Sequence, residues 1–277
     1  MYVDNHRLGQ SQIFAVYADP THAAIDPWSP PSIRGRLQSH WDLVSRPDPV
    51  IDLFPYFAWS DAARQRRIAR GAGAGFVLGA AWAYLLRTDR DGYRSEAELE
   101  ERAEEPPPPL VTPAGTLFLP RHGLQGLHLA RRLADHLQRT VGAATVALYP
   151  ADLAVPDIER AYRELGHAVV ALTGVEDEPG SDAPRPLIQL RDLFQAHTAV
   201  SSNVPRVELL YAACSGQQVT ITGPIVAELD PVRRQLARQL GEFDASDWRT
   251  YADRELGTSR VVPPHELRVL LDWTHDA

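Results

Sequence analysis

The chain has 277 residues, 44% hydrophobic and 23% charged, enough for a large core and matching a length prior of two modest domains or one large one. Its formal net charge of −8 and pI near 5.7 leave no basic stripe to neutralise phosphates, which argues against nucleic acid as a partner. All 28 basic residues are arginine, which excludes Schiff-base chemistry and a Walker-type lysine while keeping bidentate phosphate contact available.

The single Cys214 has no partner for an internal disulfide, and no Cys/His grouping has zinc spacing. Both facts fit a reducing compartment, so a cytoplasmic protein without a metal is expected and Cys214 reads as a small buried hydrophobe. The first ten residues lack the apolar core of a signal peptide. The uncharged stretch 71–86 is rich in glycine and shorter than the roughly 20 residues a membrane span needs. It reads as a turn and a buried strand.

Prolines interrupt residues 1–60, where 12–17 read as a strand and 36–44 as a strand running into a turn that displays His40 and Trp41. Residues 54–59 are strand-like, Ser60 is an N-cap, 61–70 form an arginine-rich helix closed by Gly71, and 76–79 make the next strand. The glycines at 71, 73 and 75 follow a helix instead of a strand, with the wrong spacing for a dinucleotide fingerprint. Residues 89–113 are acidic and rich in proline, a stiff spacer that ends a first domain at 1–88.

From residue 115 the alternation is regular. Strands are expected at 116–120, 145–149, 167–172, in the apolar run from 198 up to the polar turn 201–203, and at 219–222, with helices at 124–138, 156–165, 187–195 and a last one after the turn closed by Gly216. Such alternation predicts a doubly wound α/β domain over 114–245 with a parallel sheet. The remaining 246–277 read as helices that pack back on the first domain, after a helix at 231–240.

Two turns of the regular domain carry chemistry. Ser201, Ser202 and Asn203 stand where a strand feeds a helix, so backbone N–H groups and the positive end of the helix dipole face outward and suit a phosphate. Plain helix capping by Ser202 or Asn203 is the alternative, and Pro205 fits the first helical turn. Arg121, His122 and Gly123 follow the first strand, and ligands of open α/β sheets sit beyond the carboxyl ends of strands, so both turns should share one rim. Taken singly, His122 reads as a turn histidine and Arg121 as a surface ion pair. Glu208, six residues after Ser202, either stabilises the dipole or accepts hydrogen bonds from ribose hydroxyls. Tyr149 belongs to the same rim, and Asp152 starts a turn. In the first domain His40, beside Trp41, suits a general base for an acceptor hydroxyl, with a surface histidine beside a packing tryptophan as the alternative. No G-x-S-x-G, H-E-x-x-H or Walker motif is present.

The segments TLFLPRHG, TVALYPADLAVPDIERAYRELGHAVV, AVSSN, LLYAACSG and ELGTSRVVPPHELRVLLDW resemble a family of bacterial surface-carbohydrate biosynthesis proteins with glycosyltransferase-B-like architecture. The upstream RLQSHW and FAWSDAARQRRIARGAGAGFVLGAAWAYLL are similar to that family's shorter first half. The second half also resembles the nucleotide-binding half of UDP-N-acetylglucosamine 2-epimerases, where Arg121, His122, Ser202 and Glu208 match by position. Here the order is Arg-His instead of His-Arg, and Asn203 stands where that family has glycine. The resemblance implies two facing Rossmann-like domains, the first one short. It also implies a metal-independent glycosyltransferase whose co-substrate is a nucleotide-sugar and whose acceptor is a hydroxyl on a small molecule or glycan. No further cofactor, nucleic acid or membrane span is expected. A nucleotide-sugar epimerase or hydrolase, and a non-catalytic nucleotide-binding partner protein, stay open beside it.

Overall fold

Short strands alternating with helices build two sheets in which every paired strand is parallel. The structure is a computed structural model, and it describes residues 5, 9–18, 33–44, 55–73, 75–88, 114–121, 126–172, 185–224 and 230–273. Two units form: Met1–Leu110 with Val175–Ile188 and Asp253–Ala277, and Val111–Gly174 with Gln189–Ala252. The spacer at 89–113 lies outside the described residues, and the span 246–277 is divided between the units after Ala252.

In the first unit, α1 (Gln10–Ala18) is followed by β1 (Arg36–Leu37), β2 (Tyr56–Ala58), α2 (Asp61–Ala69), β3 (Phe76–Val77) and α3 (Ala81–Leu85), with the strands in the order β1-β2-β3. The strand expected at 12–17 is helix α1. Eight of its nine residues are buried, so its sequence carries no 3.6-residue alternation and its β-branched and aromatic side chains mimic a strand. Phe14 and Tyr17 both meet the Tyr84 ring edge-on, at 4.8 and 4.9 Å between centroids. The second half of 71–86 is likewise helical, as α3, and wholly buried. Ser60 caps α2 by accepting from the Ala63 amide, and Gly71 follows the C-cap Arg70 with φ of 84°.

In the second unit β4 (Thr116–Phe118), α4 (Leu127–Thr140), β5 (Thr145–Leu148), the one-turn α5 (Pro150–Leu153), α6 (Pro156–Arg163) and β6 (Ala168–Ala171) form one half. The other half comprises α7 (Arg185–Ala196), β7 (Ala199–Ser202), α8 (Val207–Cys214), β8 (Gln218–Ile221) and α9 (Pro231–Gly241). The sheet order is β6-β5-β4-β7-β8, that of a doubly wound α/β sheet whose strand order reverses between β4 and β7 while all strands stay parallel. Ala130, Leu133, Ala134 and Leu137 recur at helical spacing on α4 and pack with Ile158, Ala161 and Tyr162 of α6 over Phe118, Val146 and Leu148. Each fully buried leucine of that layer contributes about 2 kcal/mol. Seven of the eight residues of α8, Cys214 among them, are buried. Two further elements close the chain, α10 (Ala245–Leu256) and α11 (Pro264–Leu271), both within the span that the sequence reads as helical apart from the first residue of α10.

Backbone approaches tightly around Gly257 in the first unit. The Ala80 amide donates to the Leu256 carbonyl at 2.8 Å, and Gly257 sits at φ 62° against the Trp59 carbonyl. A Cβ at Gly257 would overlap the Trp59 oxygen, and the left-handed backbone disfavours any L side chain. Gly257→Ala is therefore expected to lower stability by about 2 kcal/mol or more, read as a shift of the urea midpoint at unchanged slope. A midpoint equal to that of the wild type would refute this close approach.

Candidate functional site

The order reversal puts the carboxyl ends of β4 and β7 side by side. Beyond the paired residues, the Leu119 amide donates to the Ser201 carbonyl at 2.8 Å, and the Arg121 amide donates to Asn203 Oδ1 at 2.9 Å. The two turns thus meet through a side chain of one and the backbone of the other. Ser201, Ser202 and Asn203 are all buried. The Ser202 hydroxyl accepts from the Val204 amide. Among the described residues, Asn203 Nδ2, Ser201 Oγ and Arg121 Nη1 are buried without a hydrogen-bond partner. Buried polar atoms are nearly always paired in native proteins, so three unpaired ones at the rim of a crossover mark a place suited to a polar ligand.

Helix α8 begins later than the sequence suggests. Its N-cap is Arg206 in an extended conformation, so neither Ser202 nor Asn203 caps the helix and Pro205 precedes the cap instead of occupying the first turn. The extended backbone turns the Arg206 side chain inward. Its Nη1 donates to the Pro120 carbonyl at 2.8 Å, Nε to Glu208 Oε2 at 2.8 Å, and Nη2 to both Glu208 Oε1 and the Tyr149 hydroxyl. Tyr149 in turn donates to Glu208 Oε1 at 2.8 Å. Glu208 therefore accepts from Arg206 on both oxygens. Burial alone would raise the Glu208 pKa, but the adjoining Arg206 charge and its hydrogen bonds outweigh it and hold the carboxyl at about 2. Burial pushes the Tyr149 phenol up, and the Glu208 charge pushes it further in the same direction. Arg206, the hub of this cluster, is missed by sequence reasoning; its signal is an arginine two positions before a glutamate just after a proline.

The other positions are placed as follows. His122 and Gly123 lie outside the described residues. Asp152 does not merely start a turn: it lies in the one-turn helix α5 and is buried. In the first unit His40 is half-buried beyond the carboxyl end of β1, with Nδ1 at 2.8 Å from Ser39 Oγ. Trp41 is not displayed on a turn but 1% exposed, its indole N–H donating to Glu255 Oε2 at 3.0 Å. Arg66 joins the same carboxylate to Asp42, at 2.7 Å from each. Burial works against the Arg66 charge, but hydrogen bonds to Asp42 and Glu255 raise its pKa. Among the described residues no group of three or more His, Cys, Asp or Glu is placed to hold a metal ion, and no helix is long and apolar enough to cross a membrane.

Neither a protein-family model nor a curated protein matches the sequence. Among solved structures, the chain is similar to the UDP-GlcNAc 2-epimerase from Neisseria meningitidis bound to UDP-GlcNAc, at 10% identity and a TM-score of 0.41, over 79% of this chain and 60% of that one. The epimerase from Rickettsia bellii matches at 13% identity and a TM-score of 0.41, over 79% and 59%. HepE from Anabaena, in complex with UDP and glucose, matches at 16% identity and a TM-score of 0.34, over 79% and 62%. The chain thus spans about 60% of the length of the first two structures.

The Glu208 geometry has a defined acid signature. Its folded pKa of about 2 lies below the ordinary 4.5, so its contribution to stability is fully present above pH 4.5 and is lost as pH falls through 2. That contribution is on the order of 3 kcal/mol. Glu208→Gln is expected to be less stable than wild type by this order at pH 7, with the gap narrowing between pH 4.5 and 2 in denaturant titrations. A gap that stays constant with pH would show that the Arg206 pair is not formed.

Proposed function

We propose that the protein is a cytoplasmic glycosyltransferase that binds a nucleotide-activated sugar at the β4/β7 switch point and transfers the sugar to a hydroxyl acceptor. The observation that carries this reading is the Arg121–Asn203 contact, with unpaired polar atoms of Arg121, Asn203 and Ser201 at the crossover of a doubly wound sheet. Ligands of such sheets bind outside the carboxyl ends of the strands where the order reverses. The motif resemblance of the second half to nucleotide-sugar enzymes supplies the ligand class. The acceptor oxygen attacks the anomeric carbon, the nucleotide leaves with the bonding electron pair, and His40 takes the acceptor proton. Arg121, the Asn203 amide and the Ser201 hydroxyl hold the phosphates, and electrostatic stabilisation of the departing group supplies the catalysis without a metal. His122, Gly123 and Ser202 complete the phosphate turns in this reading, and Tyr149 with Glu208 bounds the ribose side.

Calorimetric titration with UDP-, dTDP-, GDP- and CMP-sugars is the test. At least one is expected to bind, and Asn203→Leu or Arg121→Ala should weaken it about tenfold or more. His40→Ala should lower kcat by about 10²- to 10⁴-fold while leaving donor affinity unchanged. Absence of binding by every donor removes the reading, and an unchanged kcat in His40→Ala removes that residue from the base role alone.

A further inference from the structure

Helix α2 and its C-cap carry four arginines, and one of them is placed unlike the rest. Arg64 donates to Asp61 at 2.9 Å, Arg66 to Asp42 and Glu255, and Arg70 to Asp42 at 3.0 Å. Arg67 instead lies on the inner face of the helix, one turn after Ala63, and only these two side chains of α2 are buried. At 7% exposure Arg67 has no acidic partner among the described residues, and its Nε is buried without a hydrogen bond. Its guanidinium stacks on the Tyr56 ring at 3.8 Å from the centroid.

Stacking uses the flat face of the guanidinium and leaves its edge, the Nε and Nη donors that grip planar or tetrahedral oxyanions two at a time. A second arginine stands on the same sheet face. Arg36 of β1 is in parallel register with Tyr56 of β2 and is itself buried, so its side chain shares the sheet face on which Tyr56 stands. A buried charge without a counter-ion is strongly disfavoured, and an aromatic face with a helix C-terminus compensates it incompletely. Tyr56 opens β2, so this place lies at the amino end of the small sheet, whereas His40 follows the carboxyl end of β1. It shares no residue with the β4/β7 rim.

We propose that Arg67, held face-on by Tyr56, forms the floor of an oxyanion-binding recess in the first unit, taking a phosphoryl or carboxylate group on its Nε edge. The recess is a second ligand site, independent of the nucleotide-sugar reading.

Thermal unfolding of the full chain in anion-poor buffer, with added inorganic phosphate or with acetate, tests it against Arg67→Met and Arg67→Lys. Without added anion, Arg67→Met is expected to unfold at or above the wild-type temperature, because an unpaired buried charge is gone. Added phosphate or acetate should raise the wild-type midpoint by about 3 °C more than that of either variant, since binding stabilises by mass action and lysine lacks the planar fork. A larger response to phosphate assigns a phosphoryl group, and a larger response to acetate a carboxylate. Equal responses of wild type and Arg67→Met to both anions overturn the proposal, as does an Arg67→Met midpoint below wild type in anion-poor buffer.

Discussion

The geometry of the second unit depends on one buried ion pair, Arg206 with Glu208. Burial taxes both charges, and their mutual attraction returns enough to keep the carboxyl ionised, with its pKa held at about 2. Well-packed hydrophobic side chains serve stability about as well as such pairs, so what the pair adds is geometry. The guanidinium reaches the Pro120 carbonyl after β4, the Tyr149 hydroxyl after β5 and the carboxylate in the first turn of α8. Three chain segments that leave the sheet at one end are thereby fixed to a single planar group. Asn203, the residue after β7, accepts from the Arg121 amide through its Oδ1.

This arrangement redistributes the chemistry expected of the rim. Both Glu208 oxygens already accept charge-assisted hydrogen bonds, so a ribose hydroxyl would have to compete with a guanidinium for them. The unpaired capacity lies instead with Asn203 Nδ2, Ser201 Oγ and Arg121 Nη1. These are two donors and a hydroxyl that both donates and accepts, a set matched to anionic oxygens. Under the proposed function, phosphate recognition falls to the strand ends, and Tyr149 with Glu208 acts through Arg206.

Much of the second unit was legible in the sequence because its helices are one-sided. Leu133 and Leu137 on α4, or Ile158 and Tyr162 on α6, recur at helical spacing, and strands with β-branched residues such as β5 and β8 alternate with the helices. Elements buried on every side were not legible: α1 and α3 have no polar face, so periodicity is lost and side-chain type misleads. The meeting of the Arg121 and Ser201–Asn203 turns on one rim followed from strand topology alone. Arg206 did not, because residues two apart do not face each other on a helix. The pair forms only because Arg206 is the extended N-cap and Glu208 is already helical.

Hydrogen-bond accounting separates the two strand-end regions chemically. After β1 and β2, the Gln38 side chain accepts from the Trp59 amide and donates to the His40 carbonyl, while its own carbonyl accepts from the Trp59 indole. Glu255 then holds Trp41 and Arg66, so the loop carrying His40 is braced from both sides. Such bracing fixes the backbone that carries the imidazole, and Ser39 is one group that faces its Nδ1. If His40 is to take a proton through Nε2, Nδ1 must carry hydrogen and donate to Ser39 Oγ, at 2.8 Å. The serine hydroxyl can accept that bond, whereas the opposite tautomer would put the lone pair on Nδ1 against Ser39 and hydrogen on Nε2. A base role for His40 through Nε2 therefore requires Ser39 to act as an acceptor toward Nδ1.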